Sequence, residues 1–346
     1  MIDVGILGAT GMVGQQFIAL LKGHPWFRVA WLGASERSAG KPYREACAWR
    51  LPSLLDDDVA GKTVDAAVPD RAPQLVFSGL DSSVAGEIEA AFAKSGRTIV
   101  SNSRNYRMEA TVPLLIPELN ADHLGLLKAQ GDACNWSGRI VTNPNCAAIV
   151  LAMALAPLRQ FGLQKALITT MQAISGAGYP GVASWDILGN VIPYIGGGAE
   201  EKIETETKKM LGAVNKNAVD PHPVVISATT TRVPVQNGHT VLISIALEQQ
   251  PEARAIIDAW RTFRGEPQRL ELPSAPPQPI VYLEEANRPQ PALDAARDGG
   301  MTVTVGRLRR CPVLDWKFVG LGHNTIRGAA GAAILNAELM HRQGLL

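Results

Sequence analysis

A cysteine between polar residues is the side chain in this sequence most suited to chemistry. Cys146 stands in "VTNPNCAAI" (residues 141–149), after a strand-like "RIVT" and before a long helical pattern. A thiol at a helix N-terminus has its pKa lowered by the helix dipole, which favours the thiolate. Asn143 and Asn145 are capping-type residues that can supply N–H donors around an oxyanion. The stretch fits a nucleophile, and it equally fits a packed and inert core thiol.

A second pair of reactive side chains follows later in the chain. Arg232 and His239 lie seven residues apart around "VQNGH", and Asn237-Gly238 is typical of a β-hairpin turn. A guanidinium can clamp a carboxylate, and an imidazole can exchange protons. We expect both to face one pocket; the alternative for His239 is a solvated turn residue.

The bulk composition narrows the class of protein. At 346 residues the chain should form two domains. Lys and Arg number 33 against 32 Asp and Glu, so no strong field favours nucleic acid or an acidic membrane. No targeting segment is visible, and no apolar run approaches the roughly 20 residues that span a bilayer. The chain has four scattered cysteines, which are Cys47, Cys134, Cys146 and Cys311. They form no CxxC pair, which argues against a zinc site and a disulfide framework and indicates a cytoplasmic location.

The first segment reads as a nucleotide-binding unit. "DVGILGATGMVGQQFIALLKGH" is an apolar strand, a glycine turn and an amphipathic helix, with glycines at Gly8, Gly11 and Gly14. Glycines let the backbone approach a pyrophosphate, and a helix N-terminus supplies free N–H groups. The pattern predicts cofactor binding; the alternative is a purely structural tight turn.

The end of the next strand indicates which dinucleotide is bound. "RVAWLGA" runs into "SERSAGKPY", where an NAD-preferring domain usually has an acidic residue at the strand end. Ser35, Arg37 and Ser38 offer two hydroxyls and a guanidinium to a 2′-phosphate, while Glu36 must point away. We therefore expect NADP; the alternative is a solvated loop.

Alternation of strands and helices predicts the fold class. "QLVFSGL" and "RTIVSNS" are separated by the helical "SSVAGEIEAAFAKSG", which indicates an α/β, doubly wound parallel sheet of the Rossmann-like kind. Cofactor contacts should lie at the carboxyl ends of these strands, although turns use the same residue types. The candidates there are Ser78, Gly79, Ser101 and Asn102.

The remaining pattern predicts how the chain divides. We expect residues 1–145 to form the NADP-binding domain, and a C-terminal helix in 325–346 to pack back on it. Residues 146–324 should form an α+β catalytic and dimerisation domain. Its hydrophobic strands suggest a sheet with helices on one face and the other face free for a partner.

Several motifs in order resemble the aspartate-β-semialdehyde dehydrogenase family, in its archaeal and fungal branch, over nearly the whole chain. The motifs that carry the resemblance are "GATGMVG", "ASERSAGKPY", "SNSRNYRM", "PLLIPELN", "TNPNCAAI", "QAISGAGYPG", "VIPYIGGGAEEKIETETKKMLG", "RVPVQNGH" and "GHNTIRGAAG". The resemblance implies NADPH-dependent reduction of β-aspartyl phosphate through a cysteine thioester, with release of phosphate, on the branch toward lysine, threonine and methionine. It also implies a homodimer or homotetramer.

The resemblance also implies residue roles. Cys146 would be the nucleophile, His239 the acid/base and Gln172 the residue that orients the acyl group. Arg232 would clamp the substrate carboxylate, and Asn145 would lie against the substrate. The phosphate would be held by Arg107 and Lys202. The cofactor would contact Gly8, Thr10, Gly11, Met12 and Val13 at the pyrophosphate and Ser175, Gly176 and Asn324 at the nicotinamide.

One position departs from the family pattern. Relatives often carry an acidic residue three positions before Lys202, where this chain has Ala199 behind an extra glycine. Either Glu200 or Glu201 takes over the contact to the substrate amine, or the contact is missing. A malonyl-coenzyme A reductase shares the architecture, so another acyl group is the alternative substrate.

A non-catalytic NADP-binding relative is a further alternative. The sequence disfavours it because Cys146, Gln172, Arg232 and His239 are all present together.

Overall fold

The computed structural model describes residues 1–346 and begins with a sheet of six parallel strands. Leu75–Ser78 and Thr98–Ser101 have no exposed residue, as expected for strands covered on both faces. The strands are β1 Ile2–Leu7, β2 Phe27–Ala34, β3 Asp65–Ala66, β4 Leu75–Ser78, β5 Thr98–Ser101 and β6 Arg139–Thr142.

The strand order β3-β2-β1-β4-β5-β6 creates a crevice between β1 and β4. The chain runs outward in one direction up to β3 and returns on the other side of β1, so the connections at this point leave in opposite directions. Ligands of open α/β sheets bind at such a crevice, outside the carboxyl ends of the strands. The doubly wound first domain predicted from the sequence is confirmed.

The second domain is built on a seven-stranded mixed sheet of order β13-β14-β15-β12-β7-β11-β8, and a separate ribbon pairs β9 with β10. One face of the large sheet packs on helices through Ile168 and Ile243, whereas Leu167 and Leu242 are exposed on the other. The strands are β7 Leu163–Gln172, β8 Ile192–Pro193, β9 Ala213–Asn215, β10 Ala218–Asp220, β11 Val225–Arg232, β12 His239–Leu247, β13 Ile280–Leu283, β14 Val303–Arg310 and β15 Trp316–Gly322.

The helices alternate with these strands, and no helix has the length and apolar character needed to cross a bilayer. They are α1 Met12–Leu21, α2 Tyr43–Ala46, α3 Asp57–Ala60, α4 Ser82–Lys94, α5 Pro117–Asn120, α6 Leu127–Cys134, α7 Cys146–Leu155, α8 Ser184–Ile187, α9 Ala199–Leu211, α10 Ala253–Thr262, α11 Glu266–Arg269, α12 Pro291–Asp294 and α13 Gly331–Arg342. Short 3₁₀ segments cover Ala121–Leu126, Ala156–Phe161, Ile174–Ala177 and Arg297–Gly300, and a π-helical turn covers Ile326–Ala330.

The hairpin expected at Asn237-Gly238 is wrong. Strands β11 and β12 do not pair, because β7 lies between them, parallel to β11 and antiparallel to β12. The glycine serves the connection that crosses the end of β7, where Gly238 adopts a φ of +98°. This arrangement places three strand termini side by side.

Helix α7 forms the centre of the hydrophobic core of the second domain. Every residue of it except Cys146 is buried, which is what an all-apolar helix requires. Pro157 cannot continue the α-helical hydrogen bonds, so the helix ends at Leu155 and tightens into a 3₁₀ segment. The core therefore holds the cysteine end of the helix rigidly.

The C-terminal helix α13 packs into the core of the first domain. Ile334 and Leu339 belong to the same buried cluster as Val4 and Phe77. The π-helical turn before it is anchored by Arg327, whose two terminal nitrogens donate to the two carboxylate oxygens of Glu118 at 2.7 and 2.8 Å. Both side chains are wholly buried.

Breaking this buried pair should be costly to the fold. We expect Arg327→Met to lower the free energy of unfolding by about 3–5 kcal/mol, because the Glu118 carboxylate is left buried and unpaired. Urea denaturation measures the change. Arg28→Met, which removes an exposed pair with Asp3, is the matched control and should cost at most about 1 kcal/mol. Equal losses in the two variants would contradict the expectation.

Candidate active site

Three neighbouring strands of the second sheet have a terminus at the same end of the sheet, and these termini bring three predicted residues together. Gln172 closes β7, Arg232 closes β11 directly opposite it, and His239 opens β12 on the other side. All three side chains are buried. Gln172 is distant in sequence from the other two, and it stands between them because β7 lies between β11 and β12.

The cysteine meets this edge from the N-terminus of α7. The Asn145 side chain caps the helix by accepting from the N–H groups of Ala147 and Ala148 at 2.9 and 3.2 Å. The Sγ atom of Cys146 lies 3.1 Å from Nε2 of His239. A thiol and an imidazole in hydrogen-bond contact are the arrangement expected of a nucleophile and its proton partner.

The main chain of Ala173 sets the state of the histidine. Its N–H donates to Nδ1 of His239 at 3.1 Å, so the proton of the neutral ring sits on Nε2 and points to Cys146. Burial lowers the pKa of His239 to about 3, and the charge of Arg232 adds to the effect. The carbonyl of Ala173 accepts from Nη1 of Arg232 at 2.8 Å. One residue after β7 therefore orients both the imidazole and the guanidinium.

Cys146 keeps a partly exposed surface, but desolvation of its sulfur by the surrounding protein decides the pKa of the thiol. Desolvation raises the pKa of Cys146, against the charges of Arg107 and Arg232 and the N–H groups of Cys146 and Ala147, which lower it. The lowered pKa expected from the helix end alone is therefore wrong. The helix terminus is present, but the enclosed position outweighs it.

The rate of Cys146 alkylation should therefore rise only at high pH. Because the folded pKa is raised, the reactive thiolate is scarce at neutral pH and grows as pH increases, with a midpoint above the ordinary thiol value of about 8.5. Iodoacetamide labelling is followed on the peptide that contains Cys146, in Cys311→Ser, because Cys311 has a lowered pKa and would compete for the reagent, and the peptide readout separates Cys146 from Cys47 and Cys134. A midpoint below about 8 would contradict the burial argument.

Cations surround the cysteine on the side of the first domain. Arg107 is buried and donates from Nη1 to Glu206 at 3.0 Å and from Nη2 to the carbonyl of Asn102 at 2.7 Å. Lys202 is half-buried, and its Nζ lies 2.5 Å from the carbonyl of Gly197. Burial lowers the pKa of Lys202, and the charges of Arg104 and Arg107 lower it further. These cations form a region suited to a multiply charged anion.

The acidic residues before Lys202 have other surroundings than expected. Oε1 of Glu200 accepts from the N–H of Thr230 at 2.9 Å, which satisfies a donor of β11 that the short β8 leaves unpaired. Glu201 is exposed, and Ala199 is buried. Glu200 was expected as a partner of the substrate amine, but its carboxylate is engaged in this contact with the main chain of β11.

The glycine turn lies at the crevice between β1 and β4. Gly8 has a φ of +71°, and a Cβ on it would stand 2.8 Å from the carbonyl oxygen of Gly79. A Cβ on Gly14 would stand 2.3 Å from the oxygen of Gly8, so helix α1 packs directly on the turn. Gly11 caps α1 without a side-chain bond, which leaves the first N–H groups of the helix free. The main chain thus forms an anion cradle, flanked by Thr10, Met12 and Val13.

The strand-end residues divide into two groups. Ser78 is fully buried, so its hydroxyl cannot be the cofactor contact that its position suggested. The hydroxyl of Ser101 donates to the buried Glu89 at 2.7 Å, and burial raises the pKa of Glu89 to about 6. Asn102 donates to the carbonyl of Ser78 at 3.1 Å and accepts from Asn143 at 2.9 Å. Asn143 is thereby committed to the scaffold and not to an oxyanion.

The residues expected at the two ends of the cofactor lie on opposite sides of this crevice. Ser35 and Arg37 are exposed directly after β2, and Ser38 is partly exposed beside them. On the catalytic side, Asn324 donates to Oγ of Ser175 at 2.7 Å and accepts from the N–H of Gly238 at 2.8 Å. A Cβ on Gly176 would meet Arg232 and His239 at 2.9 and 3.0 Å, so glycine is required there.

Sequence reasoning missed two residues of the site. Ala173 acts through its main chain, which no side-chain pattern reveals. Glu206 joins Arg107 to the N–H of Asn145. The signal for Glu206 was its spacing of four from Lys202, which puts both on one face of α9.

A nucleotide-type domain joined to a mixed-sheet domain that carries a cysteine–histidine pair defines the class of two-domain dehydrogenases. A family model for the semialdehyde dehydrogenase NAD-binding domain matches residues 3–127, and one for the dimerisation domain of the same family matches residues 155–327. These matches cover both domains of the fold.

Curated relatives and solved structures agree with the class. The chain is 47% identical over 346 residues to the aspartate-semialdehyde dehydrogenase of Methanothermobacter thermautotrophicus, with 99% of each chain covered. It is 46% identical over 353 residues to the same enzyme of Schizosaccharomyces pombe, again with 99% of each chain covered. The aspartate semialdehyde dehydrogenase structure with NADP from Candida albicans aligns at a TM-score of 0.92 and 41% identity over 100% of both chains. The chain belongs to the aspartate-semialdehyde dehydrogenase family.

Proposed function

We propose that this chain is an NADP-dependent aspartate-semialdehyde dehydrogenase that converts β-aspartyl phosphate into the semialdehyde and phosphate. The observation that carries the proposal is the contact of 3.1 Å between Cys146 and His239, enclosed by the cations Arg107, Lys202 and Arg232. A nucleophile beside an anion-binding region suits an acyl phosphate.

The crevice of the first domain fits a dinucleotide. The positive φ of Gly8 and the free N–H groups at the start of α1 suit a pyrophosphate. Ser35, Arg37 and Ser38 would hold the 2′-phosphate, and Ser175 and Gly176 would lie against the nicotinamide. NADPH, when bound there, supplies the hydride that reduces the acyl group.

Cys146 opens the reaction by attacking the acyl carbon. The C–S bond forms, the C–O bond to phosphate breaks, and the thiol proton leaves with the phosphate, so atoms and charge balance. Arg107 and Lys202 stabilise the charge that grows on the departing group. The product of this step is a thioester on Cys146.

The resemblance implies an acid/base role for His239, but its neutral ring already carries a proton on Nε2 and cannot take one from the thiol, so it acts in the following step as a hydrogen-bond donor. Its Nε2–H faces the sulfur because Ala173 occupies Nδ1, so the ring can donate to an oxyanion formed next to Cys146. Gln172 is held by a contact from its Nε2 to Thr170 at 3.2 Å, and its amide oxygen would orient the acyl group. Collapse of the oxyanion breaks the C–S bond and releases the aldehyde and the Cys146 thiolate, which takes up a proton from solvent to restore the thiol.

Arg232 would bind the substrate carboxylate, because its guanidinium is fixed by Ala173 at the same strand edge. Asn145 would lie beside the acyl group through the amide nitrogen that the cap leaves free. The amine has no acidic partner at Ala199, and Glu201 is the carboxylate left to serve it.

The reverse reaction tests this proposal. Aspartate semialdehyde, phosphate and NADP⁺ should give NADPH, with NAD⁺ much slower and no sustained turnover without phosphate. Activity on malonyl-coenzyme A, with none on aspartate semialdehyde, would refute the proposed substrate.

We also propose that the chain assembles as a homodimer or a pair of dimers through the open face of the large sheet. The exposed Leu167, Met171, Val225 and Leu242 lie on that face and suit an apolar interface. The proposed functional division is 1–145 with 325–346 for NADP and 146–324 for catalysis. Four free cysteines support a reducing, cytoplasmic location.

A further inference from the structure

Glu206 is a buried carboxylate with no part in the steps above. It lies on α9 with 2% of its surface exposed. Its Oε1 accepts from Nη1 of Arg107 at 3.0 Å, and its Oε2 accepts from the main-chain N–H of Asn145 at 2.5 Å. Asn145 caps the helix that begins at Cys146. One carboxylate therefore joins an anion-binding arginine to the turn that carries the nucleophile.

We infer that Glu206 is a positioning residue that fixes the Arg107 guanidinium relative to the sulfur of Cys146, so that phosphate meets the acyl carbon in the right place. The inference rests on the proposed function, because it assigns Arg107 to the phosphate. Neither partner is adjacent to Glu206 in sequence: Arg107 follows β5, and Asn145 follows the neighbouring strand β6.

The surrounding contacts leave Arg107 little freedom. Its Nη2 donates to the carbonyl of Asn102 at 2.7 Å, and its own carbonyl accepts from Nζ of Lys209 at 2.8 Å. With both terminal nitrogens anchored, the plane of the guanidinium is set. The buried Nε has no protein partner, and each terminal nitrogen keeps one further N–H for an anion.

The charge of Glu206 also acts on the cysteine. Arg107, Lys202 and Lys209 face Glu206, while Arg232 and His239 stand at the sulfur. Among the cations, Arg107 has the largest effect in favour of the Cys146 thiolate, and Glu206 offsets part of its charge. Loss of that negative charge should therefore lower the pKa of Cys146.

Two variants separate geometry from charge. Glu206→Gln keeps an acceptor for Asn145 but turns an amide toward Arg107, whereas Glu206→Asp keeps the charge and shortens the reach. Glu204→Gln is the matched control on the same helix, because Glu204 accepts only from the N–H of Ala228 on β11, at 2.9 Å.

The first readout is kinetic. In the reverse reaction Glu206→Gln and Glu206→Asp should raise the KM for inorganic phosphate about tenfold or more, with the KM values for aldehyde and NADP⁺ within about twofold. Glu204→Gln should leave all three within about twofold. A parallel rise of all three KM values in the Glu206 variants, or an unchanged phosphate KM, would overturn the inference.

The second readout needs no substrate. The pH midpoint of Cys146 alkylation should fall in Glu206→Gln and stay near the wild-type value in Glu206→Asp. Burial lowers the pKa of Lys209 to about 8, so Lys209 titrates within the pH range of this experiment. Glu206→Asp controls for that titration, because the charge next to Lys209 is the same in this variant and in the wild type.

An unmoved midpoint in Glu206→Gln would overturn the charge effect. If Glu206→Gln does not fold, Glu206→Asp decides through the phosphate KM. A wild type that is inactive on aspartate semialdehyde would refute the proposed function, while the alkylation shift would still report on Glu206.

Discussion

Replacing Cys146 by serine should reduce turnover by about 10⁴-fold or more while NADP binding is kept. The hydroxyl is a far weaker nucleophile than the thiolate and forms an ester in place of the thioester. The pyrophosphate cradle around Gly8 is formed by other elements, so the cofactor affinity should not change. Steady-state kinetics and a fluorescence titration with NADPH measure the two quantities.

Cys311→Ser is the matched control for this variant. Cys311 is partly exposed near the turn between β14 and β15, and its side chain has no contact with the site. It should retain wild-type activity. Full activity in Cys146→Ser would remove the nucleophile from the account, and loss of activity in Cys311→Ser would show that a second thiol is required.

Gly328→Ala should cost about 100-fold in turnover, because it pushes against the nucleophile directly. A Cβ on Gly328 would stand 2.6 Å from the Cβ and 3.0 Å from the Cα of Cys146. The π-helical turn is held by the buried Arg327 and cannot move away, so Cys146 must shift relative to His239. Displacement of a reacting group by about 1 Å can lower rates by this factor. Overpacking should also lower the free energy of unfolding by about 1–3 kcal/mol.

Gly125→Ala is the control for this substitution. Gly125 also lies in a helical segment, but nothing stands within 4 Å of an added Cβ and its φ is not positive. Kinetics and thermal unfolding of both variants give the comparison. A Gly328→Ala enzyme with wild-type kcat would contradict the close packing of the turn on Cys146.

Local patterns were enough to predict most elements and the reactive residue types. Strand β4 and helix α4 lie inside the segments that alternation indicated, and α7 begins at Cys146. These features depend on neighbours along the chain, such as the Asn145 cap and the apolar run that follows. The ordered motifs then predicted the family, and the family matches confirm it.

Features that depend on packing between distant segments could not be predicted. Asn237-Gly238 has hairpin chemistry, but β7 separates the two strands that it joins. Glu200 resembles a pocket residue, but an unpaired N–H on β11 takes its carboxylate. The pKa of Cys146 depends on how the folded chain surrounds its sulfur, and a helix N-terminus alone does not reveal that desolvation.

The most direct test of the account is a single-turnover experiment without phosphate. The enzyme mixed with aspartate semialdehyde and NADP⁺ should form one equivalent of NADPH and gain the mass of one aspartyl group on the peptide containing Cys146. Phosphate added afterwards should remove that mass and start turnover. NADPH formation without any adduct on Cys146, or an adduct that phosphate does not release, would contradict the thioester route.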